Sequence, residues 1–275
     1  MKCSGAFYFN SRQALAKETK LLFSTFDLMN SYLFNFEDVK SLAKVPIKLN
    51  NPFGSIIPDV ARSAASEFQR FIESESTNWE HDFATDKGKM FGVLVVELQD
   101  GTLAYLATVS GKLQGSKSSE KFAPSVFDDS TDDFFINKGM TELTAISNQI
   151  KGTDIQSKKD ALIETRREKS YALQQRLFEN YQFLNLSGET QNVLEIFENS
   201  SHGNPPAAAG ECAAPKLLSY ALSNNLNPIA IAEFWWGNSP KSEEREHLGF
   251  YPACKNKCRP ILEFILEDDT LFISK

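Results

Sequence analysis

Glu211-Cys212-Ala213-Ala214-Pro215-Lys216-Leu217-Leu218-Ser219-Tyr220-Ala221-Leu222, then Asn224-Asn225, then Pro228-Ile229-Ala230-Ile231-Ala232-Glu233-Phe234-Trp235-Trp236 is the stretch that sets the fold. The first part reads as a helix. Pro215 suits only its first turn, which puts Glu211 and Cys212 at or just before the N-terminus. The Asn pair closes that helix. The second part reads as a strand, with Ile229, Ile231, Phe234 and Trp236 as its β-prone members.

Downstream, residues 237–249 are a polar loop. Phe250-Tyr251-Pro252-Ala253-Cys254-Lys255-Asn256-Lys257-Cys258-Arg259-Pro260 then leads into a last helix over 261–266. Pro260 reads as a first-turn proline, which places Cys254 on the loop and Cys258 at the helix start. Upstream, 90–98 and 103–110 are two β-prone runs around Asp100-Gly101, a hairpin signal. The first run is apolar on both faces and is expected at the centre of a sheet. Ile57, Val60, Ala61, Ala64, Ala65, Phe68, Phe71 and Ile72 recur at helical spacing, so 56–74 reads as an amphipathic helix.

The rest is less sharply patterned. Residues 1–50 are rich in Phe and Leu but keep neither period. Residues 114–135, with Asp128, Asp129, Asp132 and Asp133, read as a surface loop. Residues 138–182 are helical in character. From Lys151 to Arg176 they hold seven Lys or Arg against four Asp or Glu. A solvated helical hairpin, a short coiled coil and an RNA-facing arm all fit that pattern. The organisation expected is an N-terminal segment over 1–50, an α/β domain in two parts (51–137 and 184–275), and a helical, coiled-coil-like insert over 138–183 between them.

At 275 residues, about two units of roughly 150 residues are the prior. The chain is 41% hydrophobic and 24% charged, the balance of a globular protein. Its longest apolar runs are far short of the about 20 residues of a bilayer span, and the first ten residues lack the apolar core of a signal peptide. No membrane association is expected, and cytoplasmic location is the default. The net charge of −7 gives no global attraction to phosphate backbones, so nucleic acid would need a local basic patch. No P-loop, no Gly-x-Gly-x-x-Gly and no Gly-x-Ser-x-Gly is present. Lys87-Gly88-Lys89 could touch phosphate, but lysines before a strand are commonplace.

Of four cysteines, Cys212, Cys254 and Cys258 fall close together in the chain and Cys3 stands apart. In a reducing compartment they are not expected as disulfides. Both groups lie at helix N-termini, where the dipole favours thiolate. One sheet flanked by these helices brings such ends to one edge, where three thiolates make a zinc set. His247, His202 or Glu211 could complete it. The alternative is three free cysteines and no metal. Trp235 and Trp236 could stack a base, although neighbours on a strand face opposite ways and one belongs to the core. Lys216, Lys241 and Arg245 are the candidate phosphate-binding groups, and Lys241, Glu244, Arg245 and His247 share one polar loop.

This layout resembles the cytidine-deaminase fold: one mixed α/β sheet flanked by helices, with zinc on a His or Cys of one helix and a Cys pair of the next, and a glutamate that shuttles protons. Gly210-Glu211-Cys212-Ala213-Ala214-Pro215 is similar to a Gly-x-Cys-Ala-Glu-Pro motif of deaminase-like toxins. Two departures stand out. The family's glutamate position is Ala214 here, and its Pro-Cys-x-x-Cys is Pro252-Ala253-Cys254 followed by Cys258. Glu211 could act as the catalytic carboxylate in place of that glutamate only if its side chain turns toward the metal.

A second resemblance covers about residues 46–266. Gly88–Val96 with Ser110-Gly111-Lys112-Leu113, Pro205–Leu218 with Ala232–Gly237, and Lys241-Ser242-Glu243 with Phe250–Cys254 and Lys257-Cys258 together resemble the N-terminal region of large RluA-type RNA pseudouridine synthases. In that family a variable helical insert stands where 138–182 stands, and the synthase domain follows. That domain's Arg-Leu-Asp motif does not occur here. The resemblance implies a non-catalytic accessory role, helping a synthase domain bind or position tRNA or rRNA, with no DNA expected. Its rivals are a zinc-dependent deaminase-like enzyme, or a relic of one, and a protein-interaction module acting through the insert.

Overall fold

A computed structural model describes residues 31–37, 45–83, 85–113, 120–127, 135–240 and 244–267. Within them the sheet is built from β1 (Leu33–Asn35), β2 (Lys89–Glu97), β3 (Leu103–Val109), β6 (Asn227–Trp236) and β7 (Phe250–Tyr251), in the order β1-β3-β2-β6-β7. β2 is central as its two-sided apolar pattern requires, with burial running unbroken from Phe91 to Val96. Asp100-Gly101 makes the turn, with Gly101 at φ 81°.

Every adjacent strand pair in this sheet is antiparallel, which corrects the expected mixed sheet. β3 and β6 do run the same way, but β2 lies between them, and the segment that joins them holds several helices. A single sheet was also too few. β4 (Gln182–Leu184) and β5 (Thr190–Asn192) form a separate two-stranded ribbon.

Helices cover both faces. On one, α1 (Asp59–Glu75) buries Val60, Ala61, Ala64, Ala65, Phe68 and Ile72 against Phe91, Val93, Val95, Tyr105, Ala107 and Phe234. On the other lie α4 (Val193–Glu198), α5 (Ala213–Ser223) and α6 (Lys255–Leu266), packed on Leu94, Val96, Leu106 and Ile231. The two faces follow from the strand period of two. Residues 231, 233 and 235 of β6 face α5 and α6, and 230, 232 and 234 face α1.

The last helix begins at Lys255 and not at Ile261, so Pro260 lies inside it. Pro260 is the sixth helical residue. The amide it lacks would have bonded the carbonyl of Asn256, still in the first turn, so the break in the ladder is confined to the end. Cys254 is the N-cap and Cys258 sits one turn in.

The 138–182 region is two helices, α2 (Phe135–Lys151) and α3 (Gln156–Asn180). They are antiparallel: Arg166 Nε donates to Ser147 Oγ at 2.8 Å, Lys169 Nζ to Glu142 Oε1 at 2.7 Å, and the Arg176 guanidinium lies 4.1 Å from the Phe135 ring. The pair buries only Leu143, Ile146 and Phe178, which agrees with a solvated hairpin. The Asp128–Asp133 cluster, Cys3 and Lys241 lie outside the described residues. Among those that are described, no helix is long and apolar enough to cross a membrane.

Candidate functional site

One edge of the sheet gathers the start of β2, the end of β3, the end of β6 and the N-termini of α5 and α6. Cys212 is the N-cap of α5, and Cys254 the N-cap of α6. The three thiols lie near one another there, Cys212 and Cys254 close enough to Cys258 to shift its ionisation. Cys258 is buried, Cys212 half-buried and Cys254 exposed.

The cluster polarises its members. The Cys254 thiol falls from its ordinary 9.0 to about 5, because Cys258 donates to it, the Lys257 and Asn256 amides point at it, and the Lys257 charge is near. Cys258 moves well above 9.0 for the complementary reason, bonded on both sides and buried. The two shifts run in opposite directions, favouring the proton on the inner sulfur and the thiolate on the outer one.

Glu233, a residue the motifs did not single out, lies near the thiols. It faces the α5 and α6 side of β6 and is 6% exposed. Its Oε1 accepts from the Ala214 amide at 3.0 Å. Burial raises its carboxyl from 4.5 to about 7, opposed by the Ala214 bond and by Arg245, and reinforced by Cys254. Glu233 and Ala214 line one narrow slot with Asn50, Asn51, Tyr251 and Ala253. The Asn50 amide closes the backbone edge there, donating to the Ile231 carbonyl at 3.1 Å and accepting from the Ile231 amide at 2.8 Å. The sequence signal for Glu233 was its isolation, as the only charged residue in the run 227–236.

Gly92 makes the fit possible. It pairs across the sheet with Glu233. A Cβ at Gly92 would lie 2.8 Å from the Ala213 Cβ and 3.1 Å from Leu217 Cδ1. Helix α5 can approach the sheet only because that atom is missing. Alanine is the better strand residue by about 0.5–1 kcal/mol, but the clash is with a helix's first turn and cannot be relieved by a rotamer. Gly92→Ala is therefore expected to lower stability by about 1–3 kcal/mol in urea denaturation; an unchanged or higher midpoint would contradict this packing.

The other candidate residues are placed as follows. Glu211 accepts a hydrogen bond from the Tyr181 hydroxyl, and its Oε2 is buried without a partner. Gly210, at φ 93°, lets the chain pass the Tyr181 ring, which a Cβ would meet at 2.8 Å. Lys216 is 3% exposed, its Nζ donates to the Gly111 carbonyl at 3.0 Å, and burial lowers its pKa against the pull of Glu211 and Cys212. It pins the turn after β3 to α5. His247 Nδ1 accepts from the Gly237 amide at 3.0 Å and its ring lies 4.6 Å from that of Trp236. Trp235 is buried, with Nε1 donating to the Asn238 carbonyl, and Trp236 packs on the α1 side. Arg245 lies 4.2 Å over the Tyr251 ring. His202 is exposed in a turn.

No family description, no curated protein and no solved structure matches this chain.

The thiols fit a metal by their chemistry and not by a preformed cage. Among the described residues no group of three or more His, Cys, Asp or Glu side chains is arranged to hold an ion as it stands. Three cysteines at the starts of two helices, two of them N-caps, are nonetheless a soft donor set of the kind zinc takes.

Proposed function

We propose that the chain is a deaminase-like zinc domain, with Cys212, Cys254 and Cys258 as the ligands. The observation that carries it is the placing of all three cysteines at the starts of two neighbouring helices, with Cys212 and Cys254 as N-caps near enough to shift the ionisation of Cys258, one turn in. Element order supports it too: helix, hairpin, thiol-capped helix, strand, thiol-capped helix, with β2 between β3 and β6 and α2–α3 inserted before the first capped helix. Zinc bound there would supply Lewis acidity at neutral pH. Three protein ligands leave a coordination position open, as hydrolytic zinc sites do.

Elemental analysis of the purified chain tests this. About one zinc per chain is expected, with loss of most of it in Cys258→Ser, which removes one of the three proposed ligands. A metal-free protein that also fails to take up zinc at micromolar concentration rejects it. Ammonia release from cytidine, adenosine and tRNA by the loaded protein then tests the hydrolytic activity.

A second reading, an RNA-positioning accessory domain of an RluA-type synthase, draws support from the rim of the same site. Lys89 Nζ donates to the Lys112 carbonyl at 3.1 Å, and both ammonium groups act on buried Lys216, a local basic group in an acidic chain. Gel-shift titration with tRNA and rRNA fragments should give binding that weakens steeply with salt and weakens further in a Lys89→Ala, Lys112→Ala double variant. No shift at low salt, alone or joined to a synthase domain, rejects it.

A further inference from the structure

We propose that Glu233 is the proton-carrying carboxylate of this centre, supplied from the strand β6 in place of the helix position occupied by Ala214. The inference rests on the zinc reading above and assigns a catalytic residue that the sequence motif does not contain.

Four observations converge on it. Glu233 is on the face of β6 that meets α5 and α6, the two helices that carry the thiols. Its Oε1 is held by the Ala214 amide, at the first turn of the helix that Cys212 caps. Ala214 and Glu233 line the same slot, so a carboxylate reaching inward from either position would enter one space. Gly92, directly across the sheet from Glu233, lets the first turn of α5 that carries Ala214 settle onto this face, since a Cβ there would lie 2.8 Å from the Ala213 Cβ. Glu211, the alternative carboxylate, is instead bonded to Tyr181. Buried carboxylates are normally paired with a cation or fully hydrogen-bonded. Glu233 is buried with the Ala214 amide on Oε1, between the charges of Cys254 and Arg245.

The step it serves balances without a further reagent. In hydrolytic removal of an amino group from a ring carbon, water gives its oxygen to the carbon and the C–N bond breaks. One water proton passes through Glu233 Oε to the ring nitrogen. The other passes to the departing amine, which leaves as ammonia. The carboxylate ends as it began, and the ring carbon gains a carbonyl.

The test uses the full chain loaded with cobalt(II), whose absorption bands report ionisation at the centre whether or not a substrate is known. Wild type, Glu233→Gln and the exchanged pair Glu233→Ala with Ala214→Glu are compared for cobalt stoichiometry and for the pH midpoint of those bands. Glutamine keeps an oxygen for the Ala214 amide, so it preserves the local structure. The expected result is one cobalt per chain throughout, a midpoint moved by a full pH unit or more in Glu233→Gln, and a midpoint returned toward wild type in the exchanged pair. On any substrate that the loaded wild type deaminates, Glu233→Gln should lower the rate about 10²-fold or more. Cobalt bound with an unmoved midpoint in Glu233→Gln overturns this inference and leaves the zinc reading standing. An exchanged pair that binds cobalt yet keeps the Glu233→Gln midpoint overturns the equivalence of the two positions. Failure of wild type to bind zinc or cobalt overturns both.

Discussion

Phe68→Ala should lower the stability of the chain by about 3–5 kcal/mol, the range for emptying a fully buried aromatic site. Phe68 has no exposed surface and sits where α1 crosses the sheet. Its ring centroid is 5.5 Å from that of Phe34, 5.9 Å from Phe91, 5.6 Å from Phe122 and 6.3 Å from Phe234. These come from β1, β2, β6 and the segment after β3, so the cavity left by alanine has walls belonging to separate elements. A collapse that filled it would have to move several of them, and dense interiors resist that. Phe71 lies one turn on, 5.8 Å from Phe68, but is only partly buried at the edge of the same cluster. Phe71→Ala should cost less than half as much. Urea denaturation of both variants at one pH and temperature measures the difference. Equal losses, or a Phe68→Ala loss under about 1 kcal/mol, would mean that α1 is not held by this cluster.

What the residue pattern disclosed, and what it did not, divides along physical lines. The hairpin around Asp100-Gly101, helix α1 and strand β6 each carry many residues in one period, and each was legible to within a few positions. β1 is three residues and β7 two, too short for any period. β1 is defined by its antiparallel register with β3, Phe34 opposite Tyr105, a contact far along the chain. Pro260 misplaced the start of α6 because a proline was assumed to need one of the first three positions. The sixth is tolerated here, where its carbonyl neighbour is still near the helix end. The thiols were legible because cysteine is rare and helix starts can be read from Pro215 and the loop before it. Glu233 was not, because its partner is the backbone amide of Ala214. A backbone partner leaves no mark in composition or spacing. Its one visible trace was a charge alone in an apolar strand.

That lone charge has a consequence for stability that can be measured without metal or substrate. In chelator-treated protein at pH 8, Glu233→Gln should be more stable than wild type, by up to about 3 kcal/mol, and about equal to it near pH 4.5. The sign follows from linkage. The Glu233 carboxyl rises from 4.5 in the open chain to about 7 when folded, with burial as the main cause. Below 4.5 both states hold the proton and no penalty exists. Between 4.5 and 7 the unfolded chain ionises while the folded one does not, so stability falls as pH rises. Above 7 the penalty is complete, about 1.4 kcal/mol for each tenfold difference in proton affinity. Glutamine carries no charge and still accepts from the Ala214 amide. Cys254 works the other way. Its thiol is drawn from 9.0 down to about 5, so it adds stability as pH climbs through that interval. The Cys258 thiol, raised well above 9.0, disfavours folding only at higher pH still. Arg245 already offsets part of the Glu233 penalty, and a Glu233→Gln protein loses nothing by its presence. The variant-minus-wild-type difference, from urea melts at several pH values between 4.5 and 8, therefore reports Glu233 together with its coupling to the thiols and Arg245. A difference that stays flat across that range would show that the carboxyl is not confined as the structure places it. A rising difference would show that the chain retains a charge which weakens its fold at neutral pH, as expected of a carboxylate kept for chemistry.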